Sequence, residues 1–332
     1  MARKRRRTEE ARRTNRAGLA ALSLLLTKQL APAAEGDGAA AAAAAGANAN
    51  LAFSPASIYA ALVLLAAGAR CGKLQEHVDA LGGETRDDAA AFARRVAEGA
   101  LADRSRSGGP AVAFACGAWH DAAWSLRPGF RDAAAASYNA EARAVDFSNE
   151  VSVSETAAGD ELPKYSLCIF LPDERDGLAG LVEKLASGPG FWHYRLPATP
   201  VPVGEFRLPK FKLSVSGSVR QALRDGMGIN AAFVAGDADL SDMAERDGGG
   251  NDGTGTTLHV GDVCHKAVLE VNEEGGKASM VATGSYMLCG ASAVMDQPET
   301  VDFVADHPFV FFVIDEVSRA IVLVGRVLDP SV

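Results

Sequence analysis

The spacing of hydrophobic positions changes several times along this chain, and each change marks an element. Leu19, Leu22, Leu26 and Leu30 recur at helical spacing, which predicts an amphipathic helix with one apolar face. The tract Glu35–Asn50 (EGDGAAAAAAAGANAN) is low-complexity and reads as a surface connection. A short strand follows, ending where Ser54 can cap a helix and Pro55 can occupy its first turn. The helix Ala56–Ala69 is apolar nearly all round, so its place is the centre of the molecule. Further helices are predicted over Lys73–Leu81, Asp88–Ala102, Pro128–Ala142, Leu178–Ala186 and Val219–Asp225, the last stopped by Gly226.

Strands are predicted over Ala111–His120, Ala144–Phe147, the fully apolar Tyr165–Leu171, Leu258–Val271 and Val301–Val304. Glu205–Val215 alternates well, with Pro209 marking an edge or a bend. Phe309–Ile314 and Ala320–Val327 form a hairpin around the turn Asp315–Arg319. Helices and strands mix without strict alternation, so the class is α+β with a large sheet.

Charge sharpens this picture. The first sixteen residues carry a balance of +6, which leaves −15 on the remainder of a chain whose formal net charge is −9. An acidic body of this kind is a poor general binder of nucleic acid, since phosphate attraction would have to come from the tail alone. Two readings stand for the tail 1–16: a solvated, frayed terminus, or a nuclear-import signal whose receptor would engage residues 3–7. The apolar runs Ala17–Leu26 and Ile58–Ala69 are too short to span a membrane. The first of them runs on without a clear break into Thr27 to Leu30, which argues against a secretory signal and for an intracellular chain, cytoplasmic or nuclear.

Candidate chemistry is sparse. Five cysteines (Cys71, Cys116, Cys168, Cys264, Cys289) lie far apart, an odd, scattered set that suits neither a disulfide framework nor a zinc site. The Gly-rich loop Asp247–Gly255 does not sit between a strand and a helix, so it is a weak phosphate cradle. Cys264 and His265 are adjacent on a strand and point to opposite faces, which rules out a simple nucleophile–base pair. Neither an enzyme active site nor a cofactor or metal site is expected.

Several long blocks agree in sequence, spacing and order with one known pattern: Asn50–Ala69 (NLAFSPASIYAALVLLAAGA), Val203–Ser214 (VGEFRLPKFKLS), Leu223–Met243, His265–Gly275 (HKAVLEVNEEG) and Asp302–Pro330. Together they closely resemble the serpins, particularly the plant branch. The resemblance implies a single domain over 17–332, with three β-sheets, surrounding helices and an exposed reactive loop near the C-terminus, here 273–300. It also implies a protease inhibitor rather than an enzyme, with a serine protease or a papain-like cysteine protease as partner. In inhibitory members the protease cuts the loop, is held as an acyl-enzyme, and is displaced as the loop enters the central sheet as a new strand, a form of strand addition.

Residues carry over by position. Glu273, Glu274 and Gly275 match the start of the family hinge, and the usual spacing from Glu273 reaches Cys289 as the bait residue. Gly290 then follows the scissile bond and Leu288 precedes the bait. A protease cutting there needs a primary pocket for a small, weakly polar side chain and an apolar neighbouring pocket for Leu288. The alternative for Cys289 is an incidental loop thiol. His265 sits at the family's "shutter" position, near Ser54 and Ser57.

Two departures weaken the implied trap. After Gly275 the hinge runs Gly276, Lys277, Ala278, Ser279, Met280, where the family favours Thr or Ser and then Ala. Gly276 loosens an inserted strand, and Met280 overfills a tight interior at a cost of ~1–3 kcal/mol. The larger departure lies at Asn149–Pro163 (NEVSVSETAAGDELP), where a full-length serpin has several tens of residues more: a helix over the central sheet, that sheet's third strand, and strands of the other two sheets. The expectation is therefore an incomplete central sheet, impaired irreversible trapping and a His265 without its usual partner. The other function that fits is a non-inhibitory serpin, acting as a binding protein or an inactive copy.

Overall fold

The computed structural model describes residues 17–29, 49–70, 85–101, 116–138, 140–145, 165–188, 201–246, 257–272, 300–318 and 320–331. A first helix, α1, covers residues 17–28 and buries Leu19, Leu22 and Leu26 on the face that the leucine spacing predicts. After strand β1 (Leu51–Phe53), Ser54 caps α2 (Pro55–Gly68), its hydroxyl accepting the Ser57 amide at 3.2 Å, with Pro55 at the first position. Most of α2 is buried, as its all-round apolar sequence requires.

Helix α3 (Arg86–Glu98) starts two residues earlier than the hydrophobic pattern suggests. Thr85 caps it by accepting the Asp88 amide, and the Thr85 hydroxyl donates to the Asp88 carboxylate at 2.7 Å. The remaining elements are β2 (Cys116–Asp121), β3 (Trp124–Leu126), α4 (Pro128–Tyr138), β4 (Ala140–Val145), β5 (Tyr165–Phe170), α5 (Leu178–Ala186), β6 (Val203–Arg207), β7 (Phe211–Ser218), β8 (Ala244–Arg246), β9 (Cys264–Val271), β10 (Val301–Val304), β11 (Phe309–Asp315) and β12 (Ile321–Val327). The helix expected over Lys73–Leu81 lies outside the described residues.

Four elements depart from the sequence pattern for physical reasons. The Ala-rich run expected to be helical to Ala142 leaves the helix at Tyr138, because Ala140–Val145 pairs in parallel with β2 and tertiary pairing overrides helix propensity. The alternating segment Glu205–Val215 divides at Pro209, which has no amide to donate, and its halves join different sheets. Only the second half of Leu258–Val271 forms a ladder. Residues 220–227 form a short helix with a π-turn at Ala222–Gly226 instead of stopping before Gly226. A Cβ on Gly226 would collide with the Leu25 side chain of α1, so close helix approach is what this glycine permits.

The described sheet with the most strands is antiparallel and four-stranded, ordered β1-β12-β11-β5. Strand β11 separates two cores. Val310, Phe312 and Ile314 face the larger one, shared with α2, while Phe309 and Phe311 face a smaller one with Phe211, Leu213 and Ala267 of the β7–β9 pair. Being buried on both faces explains why β11 reads as a continuous apolar run. The other described strands pair only in twos: β6 with β10, β2 with β4, β3 with β8, and β7 with β9.

Candidate functional site

Strand β9 places the functional residues. It pairs antiparallel with β7 along its whole length, from Cys264 opposite Ser218 to Val271 opposite Phe211, and Lys212 bridges Glu270 across the ladder at 3.0 Å. Its side chains alternate. Cys264, Lys266, Val268 and Glu270 are exposed, while Ala267 is buried and His265, Leu269 and Val271 are half-buried. Among the described residues β9 has β7 as its sole ladder partner, and β2 has β4 as its own, with no strand joining the two pairs.

His265 reaches from β9 to the junction of β1 and α2. The Ser54 amide donates to His265 Nε2 at 3.0 Å, and His265 Nδ1 lies 3.4 Å from the Ser57 hydroxyl. The Ser57 hydroxyl in turn donates to the Ser54 carbonyl at 3.1 Å. These contacts select the ring's proton state. Nε2 must present a lone pair to an amide, so in the neutral ring the proton sits on Nδ1 and points at Ser57 Oγ. Burial pushes the imidazole down to about 4, because a second proton would face the Ser54 N–H in a poorly hydrated site.

The same chemistry decides against catalysis. A general base for Ser57 would need its lone pair toward the hydroxyl, whereas here the lone pair is turned to the backbone of Ser54. Cys264 points away, exposed, with its thiol directed at Asp262 Oδ2 at 3.7 Å. Its pKa is raised first by burial and then by the Asp262 charge. The two adjacent residues thus occupy opposite faces, as strand geometry demands.

Ser54, Ser57 and His265 are therefore brought together, and His265 finds its partners in these two serines. Glu273, Glu274, Gly275, Gly276, Lys277, Ala278, Ser279, Met280, Leu288, Cys289 and Gly290 lie outside the described residues, as does the stretch 149–163. The described chain resumes at residue 300 and enters β10. The sequence reading missed Arg326, fully buried in β12 with its Nε donating to the Ala49 carbonyl at 3.2 Å. A lone arginine inside an apolar run was its signal. No described helix is long and apolar enough to cross a membrane, and no described cluster of three or more His, Cys, Asp or Glu could hold a metal.

Two cores on either side of β11, with helices packed around the sheets, define an α+β protein. Comparison with known proteins gives the family. The model described as "Serpin (serine protease inhibitor)" matches residues 39–158 and 161–330, and the chain belongs to the serpin family. Its relatives include serpin-Z8 of Oryza sativa subsp. japonica, 38% identical over 95% of this chain and 96% of that one. Serpin-Z2A of the same organism is 34% identical over 95% and 97%. The alignment with the former runs to 426 positions, more than the 332 residues of this chain, so that relative carries segments with no counterpart here. Among solved structures, native stressed AtSerpin1 of Arabidopsis shares the fold with a TM-score of 0.75 at 24% identity, covering 96% of this chain and 99% of that one. Serpins in general inhibit proteases and are not themselves enzymes.

Proposed function

We propose that this serpin offers Cys289–Gly290 as a scissile bond to a serine or papain-like cysteine protease and is cleaved there without holding the protease irreversibly. The observation that carries this reading is the pairing of β9, whose last residue, Val271, lies two positions before the hinge residue Glu273 in the chain. Among the described residues β9 is laddered to β7 alone, and the β2–β4 pair stands apart from it. A loop strand laid against β9 would satisfy its amides and carbonyls on one side only. Strand groups buried without partners on the other side oppose insertion, and insertion is what supplies the force of the trap. The atypical hinge residues Gly276 and Met280 act in the same direction. The two blocks of the family match meet at residues 158 and 161, within the stretch where the third strand of the central sheet would be encoded.

The reading is tested by sequencing the N-terminus of the small fragment released by each protease. A fragment beginning at Gly290 supports the assigned bond, and one beginning elsewhere in 281–299 reassigns it. The melting temperature of the purified cleaved protein supplies the second half. It stays within a few degrees of the intact value if the loop does not insert, whereas a large rise would show that the strand is accommodated.

A further inference from the structure

Four of the eight large hydrophobic side chains that the described residues leave exposed gather in one place: Val203 and Phe206 on β6, Val301 on β10, and Val201 just before β6. Phe206 is 58% exposed although its ring stacks on Phe303 of β10, with centroids 5.7 Å apart. Apolar side chains grouped in this way mark a surface that associates, whereas the same residues scattered singly would not. The backbone beside them is open as well. Among the described residues β6 is laddered to β10 alone. The Arg207 carbonyl accepts from the Ala305 amide at 2.8 Å, and the Glu205 amide donates to Asp302 Oδ1 at 2.7 Å, so both residues turn these groups toward β10. Successive residues of a strand alternate the edge to which their polar groups point, which turns the amide and carbonyl of Phe206 to the other edge.

The charges that flank Phe206 select the strand that fits this edge. Glu205 and Arg207 share one face of β6, pair with each other there, and stay 46% and 72% exposed. An antiparallel copy of β6, set with Phe206 opposite Phe206, brings Glu205 of each copy to Arg207 of the other, twice by symmetry. The two Phe206 residues then exchange both backbone hydrogen bonds, and their rings form an aromatic cross-strand pair. An in-register parallel copy would instead set Glu205 beside Glu205 and Arg207 beside Arg207, which opposes pairing. We propose that the free edge of β6 is a self-association surface, through which two copies of this chain pair antiparallel about a two-fold axis at Phe206. Such a contact uses the same patch on both copies and closes on itself, so it yields dimers and not fibres.

The test is sedimentation equilibrium of the full chain at low salt, where exposed charge pairs are least screened. The wild type should show a reversible species of twice the chain mass. Glu205→Arg and Arg207→Glu should each raise the dimer dissociation constant about tenfold, because each sets two like-charge pairs across the contact. An equimolar mixture of the two variants should recover dimers of wild-type affinity, since one copy then presents two bases and the other two acids. Both variants lose the Glu205–Arg207 bridge within a copy, and mixing does not repair it, so recovery reports the contact between copies. A wild type that stays monomeric up to its solubility limit, single variants that dimerise as tightly as the wild type, or a mixture no tighter than its components would each overturn the proposal.

Discussion

Ser54 and His265, 211 residues apart in the chain, meet through a 3.0 Å hydrogen bond from the amide of one to the ring of the other. The bond ties the start of α2 to β9. It also fixes the tautomer of the ring, so its strength depends on pH.

The sign of that dependence follows from the ring's lowered pKa. His265 titrates near 4 in the fold against 6.5 when free, so between those values the unfolded chain binds more protons. Its contribution is complete above about pH 6.5 and is lost as pH falls toward 4, an effect on the order of 3 kcal/mol. Denaturant unfolding at several pH values should show this loss in the wild type. His265→Gln should be less stable at neutral pH and lack that component of the acid slope; an unchanged slope in the variant would contradict the assignment.

Open strand edges recruit further strands. The exposed face of β9 carries Val268, 52% accessible, and among the described residues one edge of the strand has no ladder partner. Purified protein should therefore form oligomers with rising concentration and melt at or below the ordinary mesophile range of ~45–65 °C. Val268→Lys should raise the concentration at which light scattering first appears, with little change in the melt.

Phe312 is 1% exposed and meets Phe170 edge to face, with ring centroids 5.5 Å apart. Phe312→Ala should destabilise the protein by ~3–5 kcal/mol, read as a shift in the denaturant midpoint. A loss below about 1 kcal/mol would mean that the core around β11 collapses to fill the space.

The basic tail yields a separate proposal, that Arg3–Arg7 engages a nuclear-import receptor. Deleting residues 3–7 from a fluorescent fusion should move it out of the nucleus. An unchanged distribution leaves the tail as a solvated terminus.

Much of this structure was legible in the residues. Ser54 and Pro55 announced the start of α2, the leucine spacing the helix α1, and the unbroken apolar run Phe309–Ile314 a strand buried on both faces. Elements defined by distant pairing were harder to see. Ala140–Val145 has the composition of a helix and becomes a strand because β2 lies beside it. The short β3 and β8, which pair Trp124 with Arg246, are three residues each, too short for alternation to mark them as strands. In the site, Ser54, Ser57 and His265 were visible through the family pattern, but the tautomer was not, since it depends on which ring nitrogen meets the Ser54 amide.

The proposed loop is cut but does not trap. The most direct test is a denaturing gel after mixing the protein with chymotrypsin-like, elastase-like and papain-like proteases. Cleavage near Cys289, with no band at the summed mass of the two proteins, is the expected result. A band of summed mass that survives boiling would show covalent capture, and would mean that β9 accepts the loop as a new strand although β7 is its sole ladder partner among the described residues.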